Sequence, residues 1–432
     1  MEIGILFGII GTIGVIGTIF WYIHNRASDK HVEHNIDIVQ IEAGYILEYL
    51  DGLSEAPSKI RDPFQKAYSY MQSYDYRKAI DLLESCFQPG TTQSQKIALH
   101  ILIGNCFLRL NEIEEAESYY RQAEIAAKEA GEKEGLAAAL SNTGILCSIK
   151  GALDKALKYK HKALRIYRDI GNQIGEANQL ANMGNIYWIK GDLDKALEHY
   201  QQSLEIHRNT GDKNGEASDL NNMGIVYKTK GELDSALEYY HQALGIHRNT
   251  GYRHGEAKTL GNIGNVYQIK EGMDDALEHY QQALLIHRDI GNREGEATSL
   301  NNMGVVNGIK GELDNALDHF HKALAIHMDL GNRVGEANAL GNIGNMYLVK
   351  GYPEKALEHY HQSLETHRNT GNRRGEANQY CNIGNICQIK GELDKALDNY
   401  RQALKIFKQI GVKEGIEITK QNIERIAQNR DS

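Results

Sequence analysis

The sequence predicts an all-α protein: a solenoid of antiparallel helix pairs preceded by one N-terminal transmembrane helix. Three observations carry this. An uncharged apolar stretch opens the chain at residues 3–23. Glycine and alanine then recur at a forty-residue step. Inside each step the apolar residues keep helical spacing. A chain of 432 residues is too long for one ordinary core, so several domains or a repeat array is expected. The 43 Gly against only four Pro, placed so regularly, read as punctuation between helices.

The opening stretch, IGILFGIIGTIGVIGTIFWYI, spans Ile3 to Ile23 without a charge. A helix of roughly 20 residues crosses a hydrocarbon core of about 30 Å. Trp21 and Tyr22 stand at its end, where amphipathic rings favour the interface. A cleaved signal would show a basic start and a small-residue cleavage site, whereas this chain starts Met1-Glu2 and leaves the stretch through His24, Asn25 and Arg26. Arg26 and Lys30 follow the span, so the positive-inside rule predicts an outside N-terminus and a cytoplasmic C-terminal array. Gly4 and Gly8 form a G-x-x-x-G, and small residues of this kind let membrane helices approach closely. Beyond Val32, the positions Ile36, Val39, Ala43, Ile46 and Leu50 form a heptad-like seam. Its two heptads leave two readings open, pairing of two chains or packing on the first repeat.

The repeat settles the remainder. Gly144, Gly184, Gly224, Gly264, Gly304, Gly344 and Gly384 are spaced forty residues apart, and Ala156 through Ala396 keep the same step. In the unit around residues 175–210 a first helix is expected at 176–190 and a second at 193–210. Leu180, Met183, Gly184 and Tyr187 make one apolar face; Ala196, Tyr200, Ser203, Leu204 and His207 make the other. Gly184 and Ala196 are small where the helices must cross. Gly191 and Gly211 tolerate the left-handed conformation that ends a helix. Stacked neighbours bury what one hairpin cannot.

Leu180, Met183, Gly184, Tyr187, Ala196, Tyr200 and Ser203 fall at the spacing of the tetratricopeptide signature, with Arg208 in place of its closing Pro. The forty-residue period and the linker Gly-Asn-x-x-Gly-Glu-Ala at 171–177 and 331–337 resemble the longer repeat of Pins/LGN-type adaptors, and more distantly that of kinesin light chain. This resemblance implies a right-handed superhelix whose first helices line a concave groove. The plan is then a membrane anchor at 1–24, a juxtamembrane helix and linker at 25–58, and two degenerate units at 59–130. Seven near-identical units follow at 135–410, and a capping helix and tail at 411–432. Cys147, Asn307 and Cys387 replace the signature aromatic in their units.

Two residues back from the core stripe lies a polar one. Asn178, Asn182 and Asn185 stand at i, i+4 and i+7, about 200° round the helix from the apolar face, which predicts that they point away from the partner helix. The upper rung repeats at Asn338 and Asn378. The middle rung comprises Asn142, Asn182, Asn222, Asn262, Asn302, Asn342 and Asn382. The lower rung includes Asn265, Asn345 and Asn385. Mid-helix Asn costs about 0.5 kcal/mol relative to Ala, and an amide offers both donors and an acceptor to a peptide backbone. The resemblance implies that these residues bind a peptide segment of a protein partner. Two other origins stand beside that one: copying by duplication, or a structural ladder between adjacent first helices. An eighty-residue super-period, with Asn221 and Asn301 alternating with Gly261 and Gly341, points to duplication of repeat pairs.

Other chemistries are not expected. A net charge of −9, with basic residues spread through the array, argues against nucleic acid. The five cysteines form no C-x-x-C pair and read as reduced, mostly buried thiols. His207, His247, His287, His327 and His367 repeat one packing distance apart, too far to share a metal, so they read as structural rings. Neither phosphate loop, nor H-E-x-x-H, nor G-x-S-x-G occurs, so no enzyme and no cofactor is expected. Only Lys258 lies on the upper rung, so the cationic carboxylate clamp of chaperone-binding relatives is missing. The expected function is a membrane-anchored adaptor. A self-assembling scaffold of associated chains, or a regulatory subunit of a membrane complex, is the alternative.

Overall fold

A computed structural model describes residues 58–72, 75–110 and 112–431. The predicted span at 3–23, the juxtamembrane seam and the proposed anchor and linker up to residue 57 lie outside the described residues. Among those described, no helix is long and apolar enough to cross a membrane. All regular structure among them is helical, nineteen helices in all.

The chain divides into two compact units. One holds residues 58–266 with 289–292; the other holds 267–288 with 293–431. In the first unit five hairpins follow one another, the fourth pairing Gln173–Lys190 with Leu193–Thr210 and the fifth Lys213–Lys230 with Leu233–Thr250. In the second unit, Arg293–Ile309 pairs with Leu313–Asp329, Arg333–Val349 with Pro353–Asn369, and Arg373–Ile389 with Leu393–Ile410. The lone helix Lys413–Asp431 packs on the last of these.

Many of the hairpins close on a glycine. A Cβ on Gly184 would lie 2.8 Å from the Tyr200 ring, and Gly224 and Gly344 meet Tyr240 and Tyr360 in the same way. The second-helix aromatic therefore lies flat on first-helix backbone, and Ala196, Ala236 and Ala356 beside it are fully buried. The first helix begins at Gln173, three residues before the expected start, because the Asn172 side chain caps it by accepting from the Gly175 amide at 2.7 Å. Gly191 and Gly211 end their helices at φ 81° and 76°. At the equivalent of Gly191 one unit has Glu271, whose φ of 61° makes it the one non-glycine with positive φ among the described residues.

Stacking uses a second set of glycines. A Cβ on Gly215, Gly255, Gly295, Gly335 or Gly375 would run into the ring of His207, His247, His287, His327 or His367 respectively. Tyr167 and Phe407 fill the same place over Gly175 and Gly415. The recurrent histidine is thus a ring that seats the next hairpin. In several repeats the lysine ending the first helix reaches an acid in the first turn of the preceding hairpin's second helix. Lys190 meets Asp154 at 2.5 Å, Lys310 meets Asp274 at 2.7 Å, and Lys390 meets Glu354 at 2.8 Å. These pairs are largely exposed, so each is worth little, about 0–1 kcal/mol.

Candidate functional site

The amide stripe of the first helices resolves into three rungs with different fates. On the upper rung Asn178, Asn338 and Asn378 are partly exposed. The middle rung is buried: Asn142, Asn182, Asn222, Asn262, Asn342 and Asn382 all lie at 8% exposure or less, and only Asn302 is partly open. The lower rung, Asn185, Asn265, Asn345 and Asn385, is buried as well.

The expectation that the whole stripe turns away from the partner helix fails on the lower rung. Tyr200 donates to Asn185 Oδ1 at 2.5 Å, Tyr360 to Asn345 at 2.7 Å and Tyr400 to Asn385 at 2.6 Å. Because Gly184, Gly344 and Gly384 have no side chain, each phenol reaches across the first helix, and a buried hydroxyl requires an acceptor. These asparagines face inward, into the hairpin. Tyr120 and Asn105 make the same bond in an earlier, degenerate unit.

The middle rung joins neighbouring hairpins in two places. Asn262 Nδ2 donates to Asn221 Oδ1 at 3.1 Å, and Asn342 Nδ2 donates to Asn301 Oδ1 at 2.8 Å. The eighty-residue super-period has a structural use here, since Asn221 and Asn301 are the acceptors. Asn142 instead bonds Ala138 O at 3.0 Å, and Asn382 bonds Gln379 at 3.3 Å. Among the described residues neither amide atom of Asn182 has a hydrogen-bond partner.

Two buried charged groups were not singled out by sequence reasoning. Lys160 stands where other units have Tyr200, Tyr240 or Phe320; it is 1% exposed and donates to Ser141 Oγ at 2.7 Å. Ser141 in turn donates to Gln179 Oε1 at 2.7 Å. Asp219, 1% exposed, bonds His207 Nδ1 at 2.8 Å, with Asp212 3.7 Å from the other ring nitrogen. Burial by itself pulls His207 down, but the hydrogen bond and charge of Asp219, with Asp212 and Glu216, outweigh it and raise its pKa. Burial pushes Asp219 up. Both residues break an otherwise regular column, Lys160 that of the aromatics and Asp219 that of Gln179, Thr259 and Ser299; this break is the signal that could have found them.

Glu216, Glu256, Glu296 and Glu376 of the linker motif are each held between two cations. For Glu256 these are Arg248 at 3.1 Å and Arg253 at 2.7 Å. Burial would raise the Glu216 carboxyl, but hydrogen bonds from Lys213 and Arg208 outweigh it and hold it low. Among the described residues, no three His, Cys, Asp or Glu side chains come together as metal ligands would. All five cysteines are free thiols; Cys381 is half-buried and the other four are buried.

A tetratricopeptide repeat profile matches residues 93–169, 176–249, 255–329 and 335–409. Among solved structures, the chain is similar to the apo form of the quorum sensor NprR from B. thuringiensis. That match has 14% identity and a TM-score of 0.56 over 81% of this chain and 98% of that one. A Signal Transduction ATPase with Numerous Domains with a tetratricopeptide repeat sensor, from Pyrococcus horikoshii, matches at 15% identity and TM-score 0.57, over 81% of this chain and 55% of its own. A Rap protein complexed with competence and sporulation factor matches at 16% identity and TM-score 0.50, over 78% of this chain and 98% of its own. At such identities the likeness shows the fold alone. Comparison with curated proteins finds no match. A repeat profile covering most of the chain, on hairpins closed by glycine against tyrosine, places this chain in the tetratricopeptide repeat family.

Proposed function

We propose that this protein is a membrane-tethered adaptor whose first-helix wall holds an extended segment of a protein partner, with residues 3–23 as the anchor and the array on the cytoplasmic side. The observation that carries the reading is the division of the wall into parts. In the first unit Asn178 stays partly open at one end of its first helix and Ile189 at the other; in the second unit Asn338 and Asn378 stay partly open at one end of the first helices, and Ile309 and Ile389 are partly or fully open at the other. A strand of polypeptide laid along the first helices of one unit meets amides on one side and aliphatic side chains on the other, the two chemistries that a backbone and its side chains need. The middle rung supports the wall through bonds such as Asn262 to Asn221, while the buried amide of Asn182 makes no hydrogen bond among the described residues. The similar Rap structure, described as complexed with competence and sporulation factor, is in keeping with ligand binding by this fold.

The full chain, held in nanodiscs, serves as bait for crosslinking and mass spectrometry, alongside a variant carrying Asn178→Ala, Asn338→Ala and Asn378→Ala. Crosslinked peptides from one partner, mapping to the first helices and falling several-fold in the variant, are expected. Equal recovery from both baits removes the wall as the binding surface.

A further inference from the structure

One helix is unlike its counterparts. Leu153–Ile170 carries six Lys and Arg against two Asp, on a chain whose net charge is −9. The structure therefore corrects the expectation of evenly spread basic residues. Lys155, Lys158, Lys162 and Arg165 follow steps of three, four and three, which puts them on one stripe of the helix, and all four are exposed. At the same positions the next hairpin has Lys195, Glu198, Gln202 and Glu205, and the preceding one has Glu115, Ser118, Gln122 and Ile125. Arg168 is engaged by Glu176, whereas those four cations enter no ion pair among the described residues. Lys162 lies 5.5 Å from the Tyr159 ring on its own helix. Ile125, at the position equivalent to Arg165, is 47% exposed and adds an apolar side chain to the same outward side.

We propose that the outward face of Leu153–Ile170 lies against the anionic head groups of the membrane that anchors the chain. This rests on the membrane-tethered reading above. Four unpaired cations on one stripe with an exposed isoleucine beside them match the basic-plus-apolar makeup of surfaces that rest on lipid. The attraction per cation is modest and fades within a Debye length, about 8–10 Å, so a free protein would gain little. A tethered one gains far more, because the anchor converts docking into an intramolecular step. Thirty-four residues, 24–57, separate the apolar stretch from the first described helix, so the anchor keeps the first unit near the bilayer. The side also agrees: the positive-inside rule puts the array beside the cytoplasmic leaflet, which carries the anionic lipid. An acidic protein segment would satisfy the cations equally well but has no such tether.

The test uses the full chain with Lys162→Cys carrying an environment-sensitive fluorophore. It is reconstituted into vesicles of phosphatidylcholine alone or of phosphatidylcholine with phosphatidylserine. A blue shift and quenching by head-group nitroxide lipids are expected only with phosphatidylserine. High salt reverses both, a control that needs no further substitution, and Lys155→Gln with Lys158→Gln and Arg165→Gln reduces them several-fold. Incorporation into both vesicle types with identical emission overturns the docking proposal and leaves the tether intact. A chain that salt or carbonate strips from both vesicle types overturns the tether and the docking together. A shift of equal size with soluble polyglutamate and neutral vesicles assigns the face to an acidic protein and overturns the lipid proposal.

Discussion

Tyr360 donates its phenol proton to Asn345 Oδ1 at 2.7 Å, across a hairpin in which Gly344 leaves room for the ring. The asparagine therefore belongs to the core of its repeat. Asn345→Ala leaves a buried hydroxyl without this acceptor and is expected to cost about 1–3 kcal/mol in chemical denaturation followed by circular dichroism. Tyr360→Phe together with Asn345→Ala should cost less than the sum of the two single changes, because they share one bond. Partner binding per folded molecule should not change. A variant that is fully stable yet binds poorly would return Asn345 to the ligand surface.

Gly335 lies under the ring of His327 from the preceding second helix. Gly335→Ala forces a methyl group into that ring, and overpacking of this kind costs about 1–3 kcal/mol. Adding His327→Ala removes the obstacle, so the double variant should be more stable than the sum of its parts predicts. Strict additivity in thermal unfolding would show that ring and glycine do not press on each other.

The buried pair His207 and Asp219 depends on both members. Asp219→Asn alone strips the imidazole of its counter-charge, and breaking a buried pair in this way costs about 3–5 kcal/mol. The junction one repeat earlier solves the same packing problem with Tyr167 and Gln179, both buried. His207→Tyr with Asp219→Gln copies that solution and should recover most of the loss. Denaturation midpoints of the three proteins decide the matter; a double variant no better than Asp219→Asn would refute the equivalence of the two junctions.

Burial lowers His247 and His287 from 6.5 to about 4. Around His247 the facing groups are Glu256, which opposes the shift, and the Tyr252 ring 5.4 Å away; around His287 it is Glu296. The folded state holds both rings neutral, so their contribution is complete above pH 6.5 and is lost as pH falls through 6.5 towards 4. The limiting loss is about 3 kcal/mol for each ring. Melting temperature should fall across that window, and less steeply for His247→Phe with His287→Phe, since Phe407 shows that a phenyl ring fits the place. An unchanged slope in the double variant would locate the acid sensitivity elsewhere.

Much of the hairpin was legible because its determinants are local and repeated. Gly184, Ala196 and Tyr200 announce a close crossing by size alone, and the crossing is there. Helical periodicity placed Leu193–Thr210 to the residue. It missed the first turn of Gln173–Lys190, where Asn172 begins the helix by a hydrogen bond and not by an apolar pattern. The amide stripe was legible as a pattern, but its orientation was not. A helical wheel gives the angle between two residues of one helix and says nothing of how far a tyrosine on the next helix can reach.

The sequence by itself determined the repeat, its forty-residue register, the small residues at each crossing and the apolar segment at residues 3–23, because each is a statement about neighbours along the chain. Only tertiary structure decided which amides are spent. Asn185 goes to Tyr200, Asn262 to Asn221, and Asn178 stays partly open, although all three are the same residue on the same kind of helix. It also decided that Lys155, Lys158, Lys162 and Arg165 stand exposed on one face, outside any ion pair among the described residues. The physical reason is common to both: a polar group's fate depends on what lies within about 3 Å, and that distance is set between helices rather than along one.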